Sequence, residues 1–91
     1  MDKLNLFKEI NVWREVSENT FYRYRGFQNL NTGKFSFFNC EHIHRKDYDN
    51  TAIQKHHEFS FRQNLFAGKL NNIDESEMFD SIEEAIADLE G

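Results

Sequence analysis

At 91 residues the chain has the length of one domain, residues 1–91, with room for one modest core. Hydrophobic residues make up only 38%, yet ten Phe, three Tyr and one Trp are among them, so the core should be built from rings; with 30% charged residues this composition excludes a disordered chain. The single cysteine, Cys40, excludes an intramolecular disulfide and points to a reducing, cytoplasmic setting, and no apolar stretch suggests a signal core or a membrane span.

The net charge of −5 is local: residues 1–50 hold 8 Lys and Arg against 7 Asp and Glu, whereas residues 51–91 hold 3 against 9. No basic residue follows Lys69, while Asp74, Glu75, Glu77, Asp80, Glu83, Glu84, Asp88 and Glu90 do. Such an end repels nucleic acid and anionic membranes and attracts basic surfaces.

Near the N-terminus Phe7, Ile10 and Trp13 recur at helical spacing, while Val12 and Val16 straddle Arg14 as in a strand. This predicts a short N-terminal helix or arm running into a strand near Val12 to Val16. Ser17-Glu18-Asn19 reads as a turn, and Thr20 to Gln28 as an aromatic strand. Strict alternation would put Phe21, Arg23, Arg25 and Phe27 on one face. A bulge at Gly26 is expected to relieve that conflict, bringing Tyr22, Tyr24 and Phe27 to the core and turning Arg23 and Arg25 outward.

Leu30-Asn31-Thr32-Gly33-Lys34 reads as a hairpin turn with glycine at the left-handed position. The strand after it, Lys34 to His44, places Phe35, Phe37 and Ile43 on one face and Ser36, Phe38, Cys40, His42 and His44 on the other. Beyond a polar loop, Arg45 to Lys55, a further strand is predicted from His56 to Phe66 with Phe59, Phe61 and Leu65 inward. A polar connection, Gly68 to Glu77, leads to two overlapping capping boxes, Asp80-x-x-Glu83 and Ser81-x-x-Glu84. The stripe Ile82, Ala85, Ile86 and Leu89 then marks a helix ending before Gly91. Together these elements specify an α+β domain, a mainly antiparallel three- to four-stranded sheet with a C-terminal helix packed on one face.

Cys40-x-His42-x-His44 is the sharpest candidate for chemistry. Residues two apart on a strand lie about 6.6 Å apart, close enough for two imidazoles to share an ion, whereas Cys40 and His44, about 13 Å apart, cannot both join it. An antiparallel register setting His44 against His56 and His42 against Glu58 would gather His42, His44, His56 and Glu58 as ligands for zinc or another divalent ion. The plainer reading is a solvated sheet face with no cofactor. Cys40 has no oriented base and reads as a small filler rather than a nucleophile, so no enzyme is expected.

Phe21-Tyr22-Arg23-Tyr24-Arg25-Gly26-Phe27 interleaves rings with arginines, the ingredients of a stacking platform for single-stranded nucleic acid. Arg25-Gly26-Phe27 is similar to the start of an RNA-recognition-motif strand, but Gln28 and Asn29 depart from that pattern, and the overall acidity opposes phosphate binding. Neither Gly-x-Gly-x-x-Gly nor a phosphate loop occurs.

The acidic tail remains. Asp88 and Glu90 fall in the last helical turn, where each negative charge costs roughly 0.3 to 1 kcal/mol against the helix dipole. The resulting expectation is a cytoplasmic, non-enzymatic inhibitor or immunity-type protein that neutralises a basic, nucleic-acid-processing protein. Its contacts would be Asp80, Glu83, Glu84, Asp88 and Glu90, with Phe38 as an exposed ring anchor. The outer sheet face is left open to a second copy in a homodimer.

Overall fold

A computed structural model describes residues 5–66 and 75–91. Three strands, β1 (Phe7–Ser17), β2 (Thr20–Asn29) and β3 (Phe35–His44), form an antiparallel sheet in the order β1-β2-β3. A short 3₁₀ turn, Arg45–Asp47, leads into helix α1 (Thr51–Asn64), and a second, Glu75–Glu77, precedes helix α2 (Ile82–Glu90). The class is α+β, as the periodicities indicate. The N-terminal segment is extended from Phe7 onward and not helical: β1 pairs with β2 from Phe7 opposite Asn29 to Ser17 opposite Thr20, and those ladder bonds override the helical spacing of Phe7, Ile10 and Trp13.

Both turns follow their local chemistry. Asn19, between β1 and β2, adopts φ +65°, a conformation Asn tolerates, and Gly33 adopts φ +78° between β2 and β3. Gly33 N donates to Asn29 O at 2.7 Å and Asn29 N to Lys34 O at 2.9 Å, closing the second hairpin.

The bulge falls at Gly26, but the extra residue belongs to the other strand. Arg25 pairs with Asn39 and Gly26 with Phe37, so Phe38 is left between them. Gly26 is needed there because a Cβ would run into the Ser36 carbonyl oxygen and the Phe37 backbone. Two expectations are thereby corrected. Alternation along β2 stays strict, so Tyr24 and Phe27 enter separate core clusters. Along β3 the phase flips at Phe38, so Phe35 and Phe37 share a face with Tyr24, while Ile43 sits opposite Phe21 on the other face.

Each sheet face is covered by one helix. On one, Tyr24, Phe37, Ala85 and Ile86 form the core, with Ile10, Val12, Phe35, Ile82 and Leu89 packed around it. This docks α2 through the stripe read from its sequence. On the other, Phe27, Phe61, Leu65 and Met78 cluster with Phe7 and Phe38, holding α1. Phe35 and Phe79 exchange backbone hydrogen bonds at 2.7 and 2.9 Å, an isolated bridge at the outer edge of β3 that does not extend into a fourth strand.

The predicted strand His56–Phe66 is also corrected: all but its last two residues belong to α1. Asn50 caps this helix, its side chain accepting from Ala52 N at 3.1 Å and Ile53 N at 3.2 Å. Phe61 and Leu65, four apart, satisfy a helix as well as a strand, so parity could not distinguish the two. Phe59, expected inward, is 62% exposed. The polar connection from Gly68 to Glu77 lies outside the described residues as far as residue 74.

Candidate functional site

The outward side of α2 is acidic. Ser81 is its N-cap, accepting from Glu84 N at 3.1 Å, so of the two candidate cap residues Ser81, and not Asp80, starts the helix. Asp80, Glu83, Glu84 and Asp88 are exposed, and among the described residues no Lys or Arg is paired with them. Glu90 differs. Its Oε2 accepts from Arg14 Nη1 at 3.0 Å, tying the end of α2 to β1. A fold contact thus offsets one of the two last-turn charges, from a strand 76 positions away that the tail's own sequence could not reveal.

Phe38, expected as an exposed anchor, is half-buried. Its ring stacks on Phe61 with centroids 5.4 Å apart and planes 5° apart, and lies 6.2 Å from Phe27. The bulge turns it toward α1.

Arg23 and Arg25, expected outward, lie instead in a buried charge cluster. Arg23 Nε donates to Glu41 Oε1 at 2.5 Å. Arg25 donates to Glu58 Oε2 at 2.9 Å and Asn11 Oδ1 at 3.1 Å, and its Nη1 stands 3.6 Å from Glu41 Oε2. The Arg25 and Glu41 side chains are 5% and 4% exposed, so this is ion pairing away from water, where removing one partner strands the other. His57 Nδ1 reaches within 3.7 Å of the same Glu41 oxygen, and Arg62 pairs with Glu58 across one turn of α1 at 3.2 Å. Burial alone would raise the Glu58 carboxyl, but the hydrogen bonds and charges of Arg25 and then Arg62 outweigh it and hold the group below the usual carboxylate range. Arg23 lies 5.3 Å over the Trp13 ring and Arg25 4.0 Å over the Phe61 ring, so neither guanidinium is presented for stacking on a nucleic acid base. The pattern that would have revealed this was their shared parity with Phe21 and Phe27.

The histidines divide. Cys40, His42 and His44 are exposed on the face of β3 opposite Tyr24, Tyr22 and Thr20 respectively. His56 and Glu58 are on α1, across the sheet, with Glu58 engaged by Arg25. The register that was to bring His42, His44, His56 and Glu58 together does not form, because residues 56–64 pair within a helix rather than with β3. Among the described residues no three His, Cys, Asp or Glu side chains converge as an ion site. Partial burial, then the negative charges of Glu90 and Glu41, push the Cys40 thiol up, which disfavours the thiolate a nucleophile needs.

No described helix is long and apolar enough to cross a membrane. No protein family, no curated protein and no solved structure matches the chain.

Proposed function

We propose that this protein is a non-enzymatic binding module of the cytoplasm, an inhibitor or immunity-type protein that neutralises a basic, nucleic-acid-processing protein by covering its positively charged surface. The observation that supports this reading is the outer side of α2: four exposed carboxylates, Asp80, Glu83, Glu84 and Asp88, without cationic partners among the described residues, on a helix whose inner side is docked by Ala85 and Ile86. A preorganised field of one sign steers a partner of opposite charge into contact and raises the association rate. Glu90, held by Arg14, contributes to the same field at its edge and fixes the helix that presents it. Phe38 is left out of this interface.

The experiment is capture of a partner from the native host on immobilised protein, in parallel with a Glu83→Lys/Glu84→Lys/Asp88→Lys variant. The reading expects a basic protein retained by the first bait only and released as salt rises from about 50 to about 500 mM. A partner held equally by both baits, or indifferent to salt, overturns it.

A further inference from the structure

His42 and His44 alternate along β3 and project from the part of the sheet that α2 leaves open, both exposed. Their ring centroids are 5.1 Å apart with planes at 44°. Two imidazoles that bind one ion through nitrogen at about 2.0 to 2.1 Å, near the tetrahedral angle, hold their centroids about 5 Å apart. The centroid spacing of His42 and His44 thus matches that of a two-histidine chelate.

Neighbours across β2 support each ring. Thr20 lies opposite His44, with Oγ1 3.3 Å from His44 Nδ1. Tyr22 lies opposite His42 and meets it edge to face, centroids 5.3 Å apart. In the tautomer whose Nδ1–H donates to Thr20 Oγ1, His44 keeps the Nε2 lone pair for a metal, the usual way a neighbouring acceptor selects the tautomer of a ligating histidine. A depression lined by Glu18, Asn19, Thr20, His44, Arg45 and Lys46 opens beside His44, leaving space for water or another ligand to complete the coordination. The adjacent pair His56 and His57 lacks this arrangement: consecutive helical residues diverge, their centroids are 6.2 Å apart, and His57 faces Glu41.

We propose that His42 and His44 form a chelate for a late first-row divalent cation, Cu²⁺, Ni²⁺ or Zn²⁺, with Thr20 as the residue that orients His44. Imidazole pairs select these ions over Mg²⁺ and Ca²⁺, which require oxygen ligands. The site is separate from the acidic face of α2 and stands or falls independently of it.

The test is titration of the full chain with Zn²⁺ followed by the NMR signals of the four histidine rings, and calorimetric titration with Cu²⁺. One equivalent should bind, moving the His42 and His44 ring signals and leaving His56 unmoved. His42→Ala and His44→Ala should each weaken binding by about tenfold or more, Thr20→Val by several-fold to about tenfold, and His56→Ala not at all. Mg²⁺ should produce no shift. Zn²⁺ that moves His56 and His57 first, a double His42→Ala/His44→Ala variant of native circular dichroism that binds Cu²⁺ like the parent, or no binding of either ion at about 100 μM overturns the proposal. Because the ring signals are read on the unmodified chain, the result does not depend on the variants folding.

Discussion

The guanidinium of Arg25 lies 4.0 Å over the ring of Phe61, so the residue that carries charge into the sheet's covered face also supplies apolar surface to the helix that covers it. The same side chain reaches Glu58, Asn11 and Glu41, joining all three strands to α1. Stability of the α1 side of the fold should therefore depend on this cluster more than on any exposed pair.

Loss of Glu41 strands Arg23 and removes one of the two carboxylates beside Arg25, which keeps Glu58 and Asn11. Glu41→Ala is expected to destabilise by about 3 kcal/mol, the cost of leaving the largely buried Arg23 cation unpaired. Arg25→Met should cost less, because Glu41 keeps Arg23 and the new side chain still packs on Phe61. Urea unfolding of both variants measures this, and the reverse order, with unchanged slopes, would show that the cluster does not act as described.

Two glycines separate backbone freedom from space. At Gly26 an added methyl collides with Ser36 and Phe37 backbone, so Gly26→Ala should cost more than about 2 kcal/mol or prevent folding. At Gly33 the same methyl meets open space and only φ +78° opposes it, which corresponds to about 1 kcal/mol. Thermal melts of the pair should show the larger drop for Gly26→Ala.

Glu58 couples the fold to acid. Its carboxyl is held below the usual range in the folded protein, so its contribution is complete above the unfolded value of about 4.3 and disappears as pH falls through the lower folded one. Glu58→Gln, which cannot titrate, should lose less stability than the parent between about pH 5 and about pH 2. Parallel acid dependence of the two melting curves would exclude this coupling.

The cap of α2 can be tested in the same way. Ser81→Ala removes the acceptor for Glu84 N and should cost about 1 kcal/mol, or about 4 to 8 °C in a domain of this size, whereas Asp80→Ala should be near neutral. An equal effect of the two would mean that the helix starts one residue earlier.

Much of this architecture was legible in the chain because it is set by signals acting over a few residues. Ser81-x-x-Glu84 and the stripe from Ile82 to Leu89 define α2, Asn19 and Gly33 define the two turns, and the alternating aromatics define β2 and β3. Asn50 was an equally local signal for α1, but it was obscured by a phenylalanine pattern that fits a strand as well as a helix. Contacts between distant segments decided the rest. The close approach of Gly26 to Ser36 made Phe38 the bulged residue and reversed the faces of β3. Glu41 and Glu58, 16 and 33 positions beyond Arg25, made burial of the arginines tolerable, and Arg14 gave Glu90 a partner. Short-range propensity determines which elements form. The side of the sheet a charged residue occupies depends on its counter-charge, and folding alone brings the two together.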